Sequence, residues 1–189
     1  NCWTNHHSLI EFNGQWYLFY HQNAFSPKFD KNRSVCIDSL FFNTDGTIQK
    51  VVPTNRGVGI TNAENKIQID RYSDIGEGAK IEFVDTTNTF TGWNAVFETV
   101  NSWVKYNSVQ FDNKPKHIQL KAMSTSGGVV EIRLDKIDGP VIANVVIPGG
   151  LNWNISETRV SKIQPGLHSL IVVSKSDAEI KVDWMQFSK

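Results

Sequence analysis

The chain has 189 residues, of which 40% are hydrophobic and 20% are charged, a composition typical of a globular protein and not of a disordered one. Lys plus Arg equals Asp plus Glu at 19 each, and no run of about 18 apolar residues occurs. The chain therefore has neither an overall basic field for nucleic acid nor a candidate membrane-spanning helix. We expect no nucleic acid and no membrane among its partners.

The first part of the chain alternates apolar and polar residues with the period of two that is typical of β-strands. Asn13-Gly14 lies between two such runs and predicts a hairpin with a type I′ turn, because both turn positions need a positive φ. The predicted strands cover residues 8–12, 15–21, 34–42 and 47–53. Four antiparallel strands of this length predict one four-stranded blade of a β-propeller over residues 1–57, an incomplete domain.

Strands resume after residues 55–66, a stretch rich in Asn, Gly and Thr in which the period lapses and a boundary is expected. Short strands separated by Gly and Pro turns predict a β-sandwich (jelly roll) over residues 58–189. The predicted strands cover residues 103–109, 117–123, 129–134, 141–147, 169–173 and 180–187. The expected fold class is therefore all-β.

The ends of the chain leave alternatives open. Cys2 and Cys36, the only two cysteines, could form a disulfide or remain unrelated thiols. The sequence begins at Asn1 and not at Met, which we interpret as processing or as a fragment of a longer protein.

Five motifs follow one another through the second part of the chain. They are residues 67–73 (IQIDRYS), 101–107 (NSWVKYN), 131–135 (EIRLD) with Gly139, 166–170 (GLHSL) and 182–187 (VDWMQF). In this order they resemble the motifs of carbohydrate-binding modules of family 6. The resemblance implies a β-sandwich that binds plant cell-wall polysaccharide or oligosaccharide.

The first part of the chain carries a second resemblance. Its motifs are residues 5–8 (NHHS), 16–21 (WYLFYH), 33–36 (RSVC) and 43–48 (NTDGTI). They resemble the last blade of glycoside hydrolases of family 43, which are five-bladed propellers often followed by a family 6 module. The resemblance implies the C-terminal portion of a xylosidase or arabinofuranosidase that degrades xylan or arabinoxylan, in an extracellular or periplasmic location.

Catalysis by this chain alone is not expected. Inverting glycosidases need two carboxyl groups on opposite sides of the scissile bond, and the resembled family carries them in earlier blades. Glu11, Asp30 and Asp38 match none of those positions and are interpreted as surface carboxylates. Two alternatives stay open: the chain is completed to an active enzyme by the rest of the propeller, or it is a structural module without sugar binding.

Two metal sites are implied by the resemblances. His6 corresponds to a last-blade histidine that serves a metal site, but one imidazole needs partners from other blades, so a solvated side chain is the alternative. In the second part, Gln68, Asp70 and Asp183 correspond to a structural calcium site. Gln68 and Asp70 are two residues apart, as on one strand face, and oxygen donors suit Ca²⁺. Ordinary edge-strand polar residues are the alternative.

The sugar site of the family uses two aromatic rings and an Asn in loops at one end of the sandwich. The first ring position falls on Phe97, the second on Gly150 and the Asn position on Lys181. Because one ring is lost and the amide is replaced, Trp93 is the candidate for a substitute ring. The remaining aromatic residues of the strands are interpreted as core or inter-sheet packing: Trp103, Tyr106, Trp153 and Trp184.

Overall fold

A computed structural model describes residues 6–23 and 33–189. The chain divides into two compact units, Asn1–Val58 and Gly59–Lys189, one residue beyond the boundary predicted from the sequence. Across the described residues, no helix is long and apolar enough to cross a membrane. A disulfide between Cys2 and Cys36 concerns Cys2, which lies outside these residues.

Both units are built from β-strands, which confirms the all-β class. The first unit contains β1 (Ser8–Phe12), β2 (Gln15–Gln22) and β3 (Ser34–Leu40). The second contains β4 (Thr61–Asn62), β5 (Ile67–Gln68), β6 (Asp74–Ile75), β7 (Ala79–Phe83), β8 (Trp93–Phe97), β9 (Trp103–Phe111), β10 (His117–Met123), β11 (Gly128–Leu134), β12 (Val141–Ile147), β13 (Asn154–Arg159), β14 (Gly166–Ser174) and β15 (Ile180–Ser188). A single turn of 3-10 helix covers Thr89–Thr91.

The first unit forms a three-stranded antiparallel sheet in the order β1-β2-β3. Phe12 pairs with Gln15 across the first turn, and Asn13 and Gly14 have φ values of 51° and 77°. Two consecutive positive φ values are the signature of the type I′ turn, so the predicted hairpin is confirmed.

The predicted fourth strand over residues 47–53 is wrong. The described chain pairs there at one isolated bridge, Phe42 with Ile48, closed by the Gln49 N–H bond to the Phe41 carbonyl at 2.8 Å. Pro53 has no N–H for a ladder, and the following Thr54 donates its N–H and its hydroxyl to the Asp38 carboxylate instead. The segment therefore leaves the sheet edge after one bridge.

The second unit is a sandwich of two six-stranded sheets. One sheet has the order β13-β10-β15-β8-β7 with β5 beside β15, and the other has the order β12-β11-β14-β9-β4 with β6 beside β9. Alternate residues of the long strands face a shared core; on β15, Ile180 and Val182 point inward. The intervening Lys181 and Asp183 therefore lie on the outer face of the first sheet.

The strand registers define two ends of the sandwich. Gly166 at the start of β14 pairs with Phe111 at the end of β9, and Val173 pairs with Trp103. We name as end A the end with the loops at 98–102, 124–127, 148–153 and 175–179, and as end B the end with the loops at 84–92, 112–116 and 160–165. These two ends separate the residues discussed below.

Tyr106 and Trp184 are buried as predicted, whereas Trp103 and Trp153 are only half-buried. Tyr106 is buried within the core cluster, and its hydroxyl donates a hydrogen bond to the Ile69 carbonyl. Trp103, Trp153 and Trp184 lie outside that cluster. Trp103 packs instead on the backbone of Gly76, where an added Cβ would lie 2.3 Å from the indole Nε1. For Trp103 and Trp153 the interpretation as core residues is wrong, because an indole can be covered by neighbouring polar chains on an outer face.

Candidate functional site

Phe97 does not offer a ring to a ligand. It ends β8 at end A, points into the core cluster and is 0% exposed. At the second ring position, Gly150 is followed by Leu151, whose side chain is 80% exposed. The placement of Phe97 therefore does not support the predicted sugar-stacking role, and at the second ring position end A has Gly150, which carries no side chain.

Trp93 lies away from Phe97, at the other end of the same strand. Its indole stacks on Phe83 of the neighbouring strand, with ring centroids 3.8 Å apart and an interplanar angle of 25°. Trp93 lies four positions before Phe97, or about 13 Å away at the usual rise. Trp93 therefore belongs to the end B side of β8 and does not replace the missing ring at end A.

Lys181 lies on the outer face of the first sheet, within a network of charged side chains. Its ammonium group is 3.5 Å from Glu82 and 3.6 Å from Glu179. The Lys80 ammonium group also donates a hydrogen bond to the Glu82 carboxylate at 2.9 Å. This hydrogen bond, together with the nearby charges of Lys80 and Lys181, lowers the pKa of Glu82. The predicted amide position is thus occupied by a cation that is already paired with carboxylates.

The same outer face carries two tryptophans beneath lysine side chains. The Lys121 ammonium lies 5.6 Å from the centroid of the half-buried Trp153 ring, and Lys66 lies 4.6 Å from the Trp184 ring. Lys121 is also paired with Asp183 at 2.7 Å. We name the surface formed by Trp153, Lys121, Asp183 and Lys181 the polar outer face. It combines an indole with fixed donors and acceptors, the two kinds of group that bind a sugar ring.

The predicted calcium residues are only partly brought together. β5 ends at Gln68, and Asp70 lies in the following turn, where the Arg71 N–H bonds the Gln68 carbonyl. Gln68 is exposed and Asp70 is buried, so the prediction that both lie on one strand face is wrong. No group of three or more His, Cys, Asp or Glu suited to a metal occurs among residues 6–23 and 33–189.

Asp70 and Asp183 nevertheless form a pair of neighbouring carboxylates. Asp70 is 5% exposed, and its nearest cation is Arg71 at 3.4 Å. Burial raises the pKa of Asp70, and the charge of Asp183 raises it further, against the opposing effect of Arg71. A buried carboxylate with little compensation is a suitable donor for a hard cation.

His6 contacts a second histidine of the first unit. Its backbone N–H donates to His21 Nε2 at 3.1 Å, and the two rings meet edge to face with centroids 5.9 Å apart. Desolvation and the neighbouring Arg33 and His6 lower the pKa of His21, which favours its neutral form. The metal at His6 stays a prediction.

The described carboxylates of the first unit that the sequence analysis considered differ in their surroundings. The interpretation of Asp38 as a surface residue is wrong, because this side chain is only 5% exposed. It accepts hydrogen bonds from the Tyr20 hydroxyl at 2.5 Å and from the Thr54 N–H and hydroxyl at 3.1 and 2.7 Å. Glu11 is exposed on β1, and Asp30 lies outside the described residues. Asp38 is therefore engaged in structure.

A comparison with protein families identifies the second unit. The family model described as "Carbohydrate binding module (family 6)" matches residues 71–189, which covers more than half of the chain and most of the sandwich. The chain belongs to this family. The module has the two-sheet architecture expected from the resemblance, so the predicted β-sandwich is confirmed.

Individual relatives agree with this assignment. The chain is 28% identical to an arabinoxylan arabinofuranohydrolase of Bacillus subtilis (strain 168) over 88% of its own length and 34% of the relative. A crystal structure of a glycoside hydrolase family 43 arabinoxylan arabinofuranohydrolase from Bacillus subtilis, in complex with cellotetraose, matches 98% of this chain and 41% of that one, with 23% identity and a TM-score of 0.69. This chain thus spans about a third of the curated relative.

A solved module on its own matches the second unit. The family 6 carbohydrate-binding module of Clostridium cellulolyticum, in complex with xylose, is 27% identical and has a TM-score of 0.61. The match covers 68% of this chain and 100% of that one. The match therefore spans the whole length of that solved module.

Proposed function

We propose that this chain binds xylan or arabinoxylan and forms the C-terminal portion of a plant cell-wall glycosidase that acts outside the cytoplasm, extracellularly or in the periplasm. The match of residues 71–189 to the family 6 module carries this proposal, and the arabinoxylan-active relative supports the choice of polysaccharide. Since the chain spans about a third of that relative, hydrolysis would come from the rest of the longer protein.

The polar outer face is the surface we assign to the sugar. Phe97 is buried and Gly150 has no side chain, so neither of the two ring positions predicted at end A offers a ring to a pyranose. Trp153 is half-buried and can stack on the apolar face of a sugar. Lys121 and Asp183 beside it can hydrogen-bond the hydroxyl rim. An extended polysaccharide fits such an open surface.

Binding is tested by calorimetry and affinity electrophoresis with xylo-oligosaccharides and soluble arabinoxylan. We expect the wild type to bind and Trp153→Ala to lose up to about tenfold in affinity, since an aromatic stacking contact contributes about 0.5–1.5 kcal/mol beyond its buried area. Phe90→Ala is the matched control, because Phe90 is an exposed aromatic residue on the loop toward end B. Absence of binding by the wild type would refute the function, and equal loss in both variants would refute the site.

We also propose calcium at the Asp70–Asp183 pair. The two carboxylates, with nearby backbone carbonyls, form the oxygen donor set that Ca²⁺ prefers. Lys121 already holds Asp183 Oδ2, so the cation would rely on Asp70 and on the second oxygen of Asp183. Bound calcium would neutralise the buried charge of Asp70 and link the turn after β5 to β15. Gln68, which is exposed, is not needed for this arrangement.

Removal of calcium tests this proposal, because the direction of the change in melting temperature can be predicted. Because the pKa of Asp70 is raised in the fold, its contribution to stability is present below the unfolded value near 3.8 and is lost as the pH rises through the raised value. At neutral pH in EDTA, Asp70→Asn should therefore melt higher than the wild type. Calcium at about 100 times its Kd should stabilise the wild type by about 2.7 kcal/mol and leave the variant unchanged.

The matched control is Asp177→Asn, the same chemical change at an exposed carboxylate of end A. It should leave both melting temperatures unchanged. Scanning calorimetry in EDTA and in calcium measures all three proteins. A wild type that melts identically in both buffers would refute the calcium proposal without affecting sugar binding.

A further inference from the structure

A basic groove lies at end B, away from the polar outer face. Its lining includes Lys114 and Lys116 from the β9–β10 loop and Arg159 and Lys162 from the end of β13 and the segment after it. The groove has a volume of about 520 Å³, within the range of small-molecule binding sites. Pro115, His117 and Val160 complete the lining, so no acidic residue faces it.

The main chain around this groove is fixed by backbone hydrogen bonds, and its cationic side chains lack counter-ions among the described residues. The Lys116 N–H bonds the Ser188 carbonyl at 2.8 Å, and the Val160 N–H bonds the Lys116 carbonyl at 2.8 Å. His117 and Arg159 are directly paired across β10 and β13, an arrangement that is unfavourable when both are charged. Within the described part of the chain, Lys114, Lys116, Arg159 and Lys162 have no carboxylate within salt-bridge distance.

The nearby carboxylates have other partners. Asp112 accepts a hydrogen bond from the Asn62 amide at 2.7 Å, and Glu157 accepts one from the Gln119 amide at 2.7 Å. The chain as a whole carries 19 cationic and 19 acidic residues, so this cluster does not reflect a generally basic protein. The groove is a local concentration of uncompensated positive charge on rigid backbone, which is the arrangement that attracts an anionic ligand.

We propose that the basic groove binds a polysaccharide that carries carboxylates, such as a chain of uronic acid residues. Repeated carboxylates along one chain can meet Lys114, Lys116 and Arg159 together, and many exposed ion pairs that are individually weak add up along a polymer. Pro115 and Val160 supply an apolar floor for the sugar carbons. Nucleic acid is disfavoured, because none of the described residues lining the groove is a Phe, Tyr or Trp on which a base could stack.

This inference rests on the proposed polysaccharide-binding function and adds a second, charge-selective site. Affinity electrophoresis with polygalacturonate tests it, and the same polymer in its highly methyl-esterified form is the control, because it keeps the backbone and removes the charge. We expect retardation by the acidic polymer alone, weakened by added salt. Equal retardation by both forms, or tighter binding to a DNA oligonucleotide of equal charge, would overturn the proposal.

Two double variants assign the binding to the groove. Lys114→Ala with Lys162→Ala should weaken polygalacturonate binding about tenfold. Lys50→Ala with Lys175→Ala removes the same charge from exposed positions elsewhere and should leave it unchanged. Equal weakening by both double variants would show a net-charge effect and refute the site.

Neutral arabinoxylan separates this proposal from the first. Trp153→Ala should lose arabinoxylan and keep polygalacturonate, whereas the Lys114/Lys162 variant should show the reverse. Arabinoxylan binding without polygalacturonate binding by the wild type would refute the basic groove and leave the proposed function intact. The opposite result would refute the neutral site alone.

Discussion

Replacing Phe97 with alanine is expected to destabilise the sandwich by about 3–5 kcal/mol, the usual cost of truncating a buried aromatic residue. The ring is fully buried among core residues of both sheets, and its backbone pairs with Ile180 of β15 and Ala79 of β7. The truncation therefore removes apolar area from water and leaves a cavity between paired strands. Thermal and urea unfolding of the full chain, followed by circular dichroism, measure the loss.

The result separates a structural residue from a ligand platform. Phe90→Ala is the matched control, because Phe90 is 98% exposed on the loop before β8 and its truncation should leave stability unchanged. Phe97→Leu should lose much less stability than Phe97→Ala, since it refills most of the cavity. If Phe97→Ala lost sugar binding while melting like the wild type, the ring would be a ligand contact and its assignment to the core would be wrong.

The sequence predicts those strands well whose two faces differ in environment. On β10, Ile118, Leu120 and Ala122 are buried and the residues between them are not, so apolar and more polar residues alternate along the sequence. The Asn13-Gly14 turn is equally predictable, because its chemistry is local. Both signals depend on neighbours in sequence alone.

The sequence does not predict β8 or β13, because in these strands the two faces do not differ clearly in burial. β8 is buried at four consecutive positions, Asn94 to Phe97, because both of its faces are covered and alternation disappears. β13 is the edge of its sheet and mostly exposed, so it reads as a polar loop. Residue type alone could not decide whether an aromatic ring in such strands faces the core or the surface.

The site residues illustrate the same limit. Counting back from Trp103 places the first ring position on Phe97, but whether that ring points inward depends on the sheet register with β15. The basic groove has no motif in the sequence, because its cations come from two segments that are joined by the pairing of β10 with β13. Such a site depends on which strands pair in the sheet, and this pairing cannot be predicted from the spacing of residues along the sequence.

Replacing Asp38 with alanine is expected to destabilise the first unit by about 3–5 kcal/mol. The variant removes the shared acceptor of the Tyr20 hydroxyl and of both donors of Thr54, which are partly buried, and a donor left unpaired away from water costs about 1–3 kcal/mol. These bonds join β2, β3 and the segment that leaves the sheet after residue 48. Hydrogen exchange of peptides from residues 15–22 and 34–40, in the full chain, should show the loss of protection.

The pH dependence of this cluster has a definite direction. Burial raises the pKa of the Tyr20 hydroxyl well above its usual value, and the hydrogen bond and charge of Asp38 raise it further. The stabilisation that Tyr20 provides is therefore present below the unfolded value near 10 and is lost as the pH rises through the folded value. Protection of β2 should fall at strongly alkaline pH in the wild type, and this fall should be smaller in Asp38→Ala.

Asp45→Ala is the matched control for Asp38→Ala. Asp45 Oδ1 also accepts the N–H and the hydroxyl of one threonine, Thr47, at 3.0 and 2.6 Å, but it does so in an exposed turn of the same unit. Water can replace those bonds, so the loss of protection should be much smaller than for Asp38→Ala. If the two variants lost protection equally, burial would not be the reason for the importance of Asp38, because the number and type of bonds to the threonine are the same in both.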